Sequence, residues 1–135
     1  MANALFDLGR QEFLGGDADW DASNIKLVFV DHADDTPVAA TDDFLDDISA
    51  PSRVATSGNF ATKTKTNGVA DADDVTVTAV SGDPFESIVI YEDSGSAATS
   101  SLLVLIDTAT GLPTTPSGGD IVVRWDSGAN KIFKL

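Results

Sequence analysis

The sequence predicts a mainly β protein: a single-domain antiparallel β-sandwich or barrel-like fold with an N-terminal helix and a short helical turn. About eight short runs of β-branched and aromatic residues alternate with turn residues at the roughly 8–12-residue spacing of sandwiches and barrels. Two of these runs are continuously apolar, as in central strands that are buried on both faces. The length of 135 residues suits one domain, 1–135, and the absence of cysteine excludes a disulfide scaffold.

The first segment, residues 1–16, predicts the helix. Asn3 is a candidate N-cap, and Leu5 and Leu8 fall near one helical face. The pair Gly15-Gly16 supplies the stop, because glycine tolerates the left-handed conformation that commonly ends helices. With further apolar residues in the segment, we expect this helix to pack on the body of the protein.

The remaining chain, residues 25–135, is expected to form the β-rich body. Its first strand is 25–30, whose sequence IKLVFV lies between turn formers. A single helical turn is predicted over 44–48, with residues 41–43 as its cap. A tight turn is predicted at the Asn-Gly pair 67–68. The other predicted strands are 52–57, 60–66, 74–80, 88–91, 102–106, 121–125 and 132–133.

The charge of the chain limits its partners. It carries 22 Asp and Glu against 8 Lys and Arg, a formal net charge of −14. Nucleic acid is not an expected partner, because a phosphate backbone is bound through Lys and Arg. No apolar run approaches the ~18 residues of a membrane span, and the N-terminus lacks the pattern of a signal peptide, so we expect cytoplasmic synthesis and no membrane association. The acidic surface favours solubility, or docking on a basic patch of a partner.

The sequence lacks the motifs of a catalytic site. His32 is the only histidine, and no Gly-x-Ser-x-Gly motif occurs. A zinc site would need more nitrogen or sulfur ligands than one histidine provides. We therefore interpret His32 as a polar residue at a strand end, and we expect neither enzyme activity nor a cofactor.

Three clusters of aspartates are candidate cation sites. The first has the opening spacing of an EF-hand loop, but Ala22 and Val28 stand where that loop needs Gly and Glu. The second precedes a predicted strand and the third precedes the helical turn, where aspartates commonly cap backbone amides. We interpret them as solvated turns and caps, with a bound cation as the alternative. The clusters are Asp17, Asp19 and Asp21; Asp71, Asp73 and Asp74; and Asp42, Asp43, Asp46 and Asp47.

The large aromatic residues allow two interpretations. Trp20, Tyr91 and Trp125 could form a platform on which a carbohydrate stacks. Aromatic residues interleaved with β-branched ones are more often buried in a core or an interface. We favour burial and keep the carbohydrate platform as the alternative.

Several segments carry a resemblance to a known family. They are 69–83 (VADADDVTVTAVSGD), 106–113 (IDTATGLP), 118–126 (GGDIVVRWD) and 131–135 (KIFKL), together with the opening MANAL, Gly16-Asp17 and Trp20. On these residues the chain resembles, over nearly its whole length, a family of small proteins that tailed bacteriophages encode among their virion structural genes. The resemblance carries over no catalytic residues.

The resemblance implies a virion component on the exterior of the capsid. Its size, β-rich pattern and acidic surface are similar to those of capsid decoration (cement) proteins, which brace the head lattice from outside. The implied partner is the major capsid protein, with a second copy of the chain as a further partner. The alternatives are a neck, tail or head-fibre component and a host-glycan-binding β-sandwich. The residues expected at the interface are Leu5, Phe6, Leu8 and Trp20.

Overall fold

The computed structural model describes residues 3–135, and its centre is a five-stranded antiparallel sheet. The strand order in this main sheet is β1-β7-β6-β2-β3. One α-helix and several single 3-10 turns accompany the strands. The elements are β1 (Ala4–Leu5), α1 (Asp7–Gly15), β2 (Ile25–Val30), β3 (Arg53–Thr56), β4 (Val69–Ala70), β5 (Val75–Val77), β6 (Ser87–Glu92), β7 (Leu102–Ile106), β8 (Ile121–Val123) and β9 (Phe133–Lys134).

A second layer covers one face of the main sheet. It consists of two separate two-stranded ribbons, β4–β9 and β5–β8, both antiparallel. Side chains of the ribbons and of the main sheet meet in one apolar cluster. The two layers form an open sandwich-like body rather than a closed barrel, and this confirms the predicted mainly β class with one N-terminal helix.

The central strands show the two-residue periodicity that places alternate side chains on opposite faces of a sheet. In β2, Leu27 and Phe29 point into the cluster beneath the second layer, whereas Val28 and Val30 belong to a separate cluster on the opposite face. All four are fully buried. The two continuously apolar runs, 88–91 and 102–106, form β6 and β7, and their predicted burial on both faces is confirmed.

The helix is shorter than predicted. It spans Asp7–Gly15, while Ala4–Leu5 forms the edge strand β1 and pairs with β7. Asn3 does not cap the helix: its side-chain oxygen accepts the amide N–H groups of Asp107 and Thr108, which anchors β1 beside β7. The prediction of a helix over 1–16 is thus wrong at its start, and its first two residues lie outside the described part.

The predicted end of α1 is confirmed, whereas the predicted cap of the helical turn is not. Of the glycine pair predicted to stop the helix, Gly15 is the last helical residue and Gly16 adopts the left-handed conformation (φ 78°) that ends α1. The helical turn exists as the 3-10 turn Leu45–Asp47. Its cap differs from the prediction, because the Asp47 carboxylate accepts the amide N–H groups of Asp43 and Phe44, closing the turn from within. Asp42 instead accepts the amide N–H of Val38, and so holds the preceding loop.

Some predicted strands are shortened or missing. Residues 60–66 form no strand; Thr62 has a φ of 54°, and only a single bridge pairs Thr64 with Asp71. Ala79 also has a positive φ (51°), so β5 ends at Val77 instead of continuing to residue 80. A left-handed residue interrupts the extended backbone that a strand requires. Alternating sequence alone did not reveal these interruptions.

The predicted Asn-Gly turn is confirmed. Asn67 and Gly68 have φ values of 58° and 76°, the left-handed pair that a tight turn of this kind requires. This turn leads directly into β4.

No helix in residues 3–135 is long and apolar enough to cross a membrane.

Candidate functional site

The structure divides the four predicted interface residues into two pairs. Leu5, on edge strand β1, and Leu8, in α1, are partly exposed and remain available to a partner. Phe6 is fully buried, in the cluster that also holds Ile48 and Leu102. Trp20 is 3% exposed. Phe6 and Trp20 therefore present no surface for docking in this fold, although the sequence pattern grouped them with Leu5 and Leu8.

Trp20 is an organising residue of the second layer. Its indole N–H donates to the backbone carbonyl of Asp71 at 3.1 Å. Its ring meets Phe60 and Phe133 edge-on, with ring centroids 6.0 and 5.4 Å apart. Edge-to-face contacts of this kind contribute about 0.5–1.5 kcal/mol each beyond area burial. This is the predicted core packing.

The carbohydrate platform does not assemble from the three proposed aromatics. Trp20 and Tyr91 are each 3% exposed, so neither ring face is open to a sugar. Tyr91 lies in the cluster on the opposite face of the main sheet from Trp20. Trp125 is partly exposed, and its indole N–H donates to the carbonyl of Asp73. Of these three rings only that of Trp125 is partly exposed, and a hydrogen bond to the backbone holds it in place.

His32 lies at the end of β2, as predicted, and has a serine beside it. Its Nε2 is 2.9 Å from the Oγ of Ser87, and its backbone N–H donates to the Glu86 carboxylate. A catalytic dyad needs a hydroxyl that substrate can reach. Ser87 is fully buried. The pair ties the end of β2 to the start of β6 and offers no nucleophile to solvent.

Within the first aspartate cluster a lysine supplies the positive charge. The Nζ of Lys65 lies 3.0 Å from Asp19 and 3.3 Å from Asp21. The hydrogen bond from Lys65 is the largest cause that lowers the pKa of Asp19. The same contact raises the pKa of Lys65. An ammonium group therefore takes the place that a cation would take between these two carboxylates.

The second aspartate cluster holds loops together, as predicted for a strand entry. The Asp74 carboxylate accepts the backbone N–H of Trp125, which aligns β8 with β5. The Asp73 carboxylate accepts the Thr62 hydroxyl at 2.7 Å. Asp71 contributes backbone pairing with Thr64.

A further carboxylate cluster, which the sequence did not suggest, lies just beyond the C-terminal end of β2. Oxygens of Asp31, Asp34 and Asp83 lie within 4.8 Å of one another. Asp31 is buried and accepts the amide N–H of Ala33, whereas Asp34 and Asp83 are exposed. Asp83 is remote from the other two in sequence, so no local spacing could reveal the cluster.

Two neighbouring carboxyl groups, those of Glu92 at the end of β6 and Asp93 just after it, have pKa values shifted in opposite directions. Burial raises the pKa of Glu92, and nearby Glu12 raises it further, against the hydrogen bond from Ser23. Asp93 lies 2.6 Å from the Nζ of Lys26, and this contact is the largest cause that lowers the pKa of Asp93. The pKa of Glu92 is therefore raised, whereas the pKa of the adjacent Asp93 is lowered.

A groove of about 460 Å³ opens between the main sheet and the second layer. We call it the edge groove. It lies where the ribbons stop short of the β1 side of the main sheet, so the apolar interior is open there. Its lining includes Leu5, Ile106, Val123, Trp125, Ile132 and Phe133, all partly buried.

The rim of the edge groove carries a local excess of positive charge on an acidic molecule. Residues 121–135 contain three cations, Arg124, Lys131 and Lys134, against the single carboxylate Asp126. Arg124, Lys131 and Asp126 line the groove. Among the described residues the ion pairs involve Arg10, Lys26 and Lys65, so the groove cations have no carboxylate within 4.0 Å. Sequence analysis missed this site because strands from both ends of the chain build it.

A scan against protein-family models gives no match, and a search of the curated proteins gives none either.

Proposed function

We propose that this protein is a non-catalytic virion component of a tailed bacteriophage, a capsid decoration protein that binds the outside of the head lattice and stabilises it. The resemblance of segments 69–83 and 106–135 to phage virion structural proteins supports the place of action. The major capsid protein is the proposed partner. The mode of action is binding alone.

One structural observation supports the non-catalytic part of the proposal: several polar groups of the kinds that perform chemistry instead hold the scaffold together. The Ser87 hydroxyl is buried against His32. The carboxylates of Asp19 and Asp21 share one lysine. The carboxylate of Asp74 holds two strands in register. Side chains used in this way rigidify a surface for docking.

The charge of the molecule supports an exterior position. A net charge of −14 repels packaged DNA, and it is attracted to basic patches on the outer surface of a shell. Repetition of one contact over many lattice sites makes a modest affinity effective. Docking of this kind weakens with salt, because charges separated by more than about 8–10 Å are screened at physiological ionic strength.

Quantitative mass spectrometry of purified virions tests the proposal. We expect a copy number equal to that of the major capsid protein or a simple fraction of it. We also expect washing at high salt to release the protein while the capsid stays intact. A handful of copies would place the protein at the neck, the tail or a fibre. Absence from the particle would overturn the virion role.

A further inference from the structure

We propose that the edge groove binds an extended, acidic segment of a partner protein, added as a β-strand with alternate apolar side chains facing the groove. This inference goes beyond the virion role, because it concerns the isolated protein and can be tested without a capsid. It rests on three properties of the groove: open strand edges, an apolar floor and unpaired cations.

Open strand edges border the groove. Its lining includes residues of β1, β8 and β9. Across residues 3–135, each of these strands has a single hydrogen-bonded neighbour: β7, β5 and β4 respectively. A strand with one free edge presents unpaired N–H and C=O groups, which an extended peptide can satisfy.

The floor of the groove suits a strand. Leu5, Ile106 and Phe133 come from three strands and are only partly buried, so their burial is incomplete in the isolated chain. Successive side chains of a strand point to opposite sides, so every second residue of an added strand would cover this floor. The volume of about 460 Å³ lies within the range of roughly 300–1,000 Å³ that is typical of binding pockets.

The charges of the groove select the chemistry of the occupant. Arg124 has no hydrogen-bond partner among the described side chains, and Lys131 has only the carbonyl of Ser127, at 3.4 Å. Asp126 leaves the groove with an excess of one positive charge. The molecule as a whole is strongly acidic, so most of its surface repels carboxylates on a peptide, whereas Arg124 and Lys131 attract them. A basic peptide would instead be drawn to the remaining surface.

A second copy of the chain fits the groove less well than a separate partner. Two molecules of net charge −14 repel each other over their whole surfaces. A short acidic segment brings its carboxylates to Arg124 and Lys131 without that cost. The occupant we infer is therefore a peptide segment of another protein.

Selection from a random 12-residue peptide library on the immobilised, purified protein tests the inference. We expect enrichment of peptides in which Asp or Glu alternates with apolar residues. NMR shift changes on binding should centre on β1, β8 and β9. Proline at the centre of an enriched peptide should abolish binding, because proline cannot donate to a strand ladder.

Charge variants provide the matched comparison. The Arg124→Glu/Lys131→Glu double variant should weaken binding of an enriched peptide about tenfold or more, because it replaces both groove cations with charges that repel the peptide carboxylates. Lys134→Glu is the control, because Lys134 is exposed on β9 close in sequence to Lys131 but does not line the groove. It should change affinity less than about twofold, as expected for a charge outside the site. Circular dichroism and thermal melting verify that each variant is folded.

Several results would overturn the inference. They are no enrichment above an empty support, enrichment of basic peptides, shift changes away from the groove, and equal effects of the double variant and Lys134→Glu. A dimer in light scattering that the double variant dissociates would assign the groove to a second copy instead. None of these results bears on the copy number in virions, so the two proposals fail separately.

Discussion

The main sheet and the second layer are built from the same residue types but are held together differently. In the main sheet, β2 and β6 are six residues long and pair along their whole length, and nearly every side chain is buried. The ribbons of the second layer have strands of two or three residues, and only Ala70, Val75 and Val77 among these are buried. Backbone ladders therefore stabilise the main sheet, whereas the second layer depends on side chains that reach across to it.

Aromatic rings provide much of that attachment. Phe133 of β9 contacts Phe13 of α1, with ring centroids 5.6 Å apart, and it contacts Trp20 as well. Phe60 contacts Trp125, just beyond β8, at 5.6 Å. Each ring joins segments that share no ladder. The second layer should consequently be sensitive to single side chains and should open more easily than the main sheet.

A matched pair of phenylalanines gives the largest expected effect. Phe29 of β2 is fully buried and stacks on Phe85 with ring centroids 4.2 Å apart, whereas Phe133 of β9 is half-exposed. Phe29→Ala should lower the free energy of unfolding by about 3–5 kcal/mol, and Phe133→Ala by roughly half as much. Denaturant unfolding followed by circular dichroism measures both.

Phe29→Leu keeps this test informative if Phe29→Ala does not fold. It should retain most of the buried apolar volume and lose the stacked pair with Phe85. Equal losses for Phe29→Ala and Phe133→Ala would contradict the difference between the two layers.

Hydrogen exchange measures the same difference without mutation. Amides of β6 should exchange only on global unfolding, whereas those of β8 and β9 should also exchange through local opening of the ribbons. We expect a protection factor in β6 at least about 100-fold higher, which corresponds to about 2.7 kcal/mol. Mass spectrometry of peptic fragments separates these segments. Equal protection would mean that the layers open as one unit.

Gly9 of α1 shows how closely the helix lies on the main sheet. A Cβ atom on Gly9 would lie 2.8 Å from the carbonyl oxygen of Leu102 and 2.9 Å from the Cα of Leu103, both in the backbone of β7. Gly9→Ala should therefore destabilise the protein by about 1–3 kcal/mol, because neither contact can move aside. Thermal melting gives the result.

Gly15→Ala is the matched control for that substitution. Its nearest contact is the flexible Asp17 side chain. Alanine is favoured over glycine in a helix by about 0.5–1 kcal/mol, so Gly15→Ala should be neutral or stabilising. A harmless Gly9→Ala would show that helix and sheet are not in the contact described.

The smallest expected effects come from Glu92 and Asp93, and they have opposite signs. The pKa of Glu92 is raised in the folded state, so ionisation costs stability as the pH rises above the ordinary value of 4.5. The pKa of Asp93 is lowered by Lys26, so its contribution is present above 3.8 and is lost as the pH falls through the folded pKa. At pH 7, Glu92→Gln should raise the free energy of unfolding, and Asp93→Asn should lower it, each by less than about 1 kcal/mol.

Unfolding curves at pH 3, 5 and 7 measure both slopes. The Glu92→Gln difference should vanish at pH 3, where wild-type Glu92 is protonated in either state. Shifts of the same sign for the two variants at pH 7 would contradict the electrostatic assignment.

The sequence predicts the main sheet well because its signals are local. The runs 88–91 and 102–106, which become most of β6 and β7, are continuously apolar, as a strand buried on both faces requires, and β2 is apolar at every position except Lys26. The Asn67-Gly68 turn and the Gly16 helix end also follow from local conformational preference. These features need no knowledge of distant residues.

The errors arise where distant residues override local preference. Ala4 and Leu5 have a pattern compatible with a helix, but pairing with Leu105 and Val104, about a hundred residues away, draws them into a strand. Thr62 interrupts an alternating segment by adopting a positive φ. The edge groove combines strands from both ends of the chain, so no single stretch of sequence could predict its position.

The two tryptophans have a consequence for optical studies of this protein. Both indole N–H groups donate to carbonyls of one short connection between β4 and β5, that of Trp20 to Asp71 and that of Trp125 to Asp73. Tryptophan emission therefore reports on this connection and leaves the middle of the main sheet unobserved. Fluorescence would register detachment of the second layer, whereas far-ultraviolet dichroism would follow the long strands. A fluorescence transition that precedes the dichroism transition would be direct evidence of a partly unfolded form, in which the second layer has detached and the long strands remain.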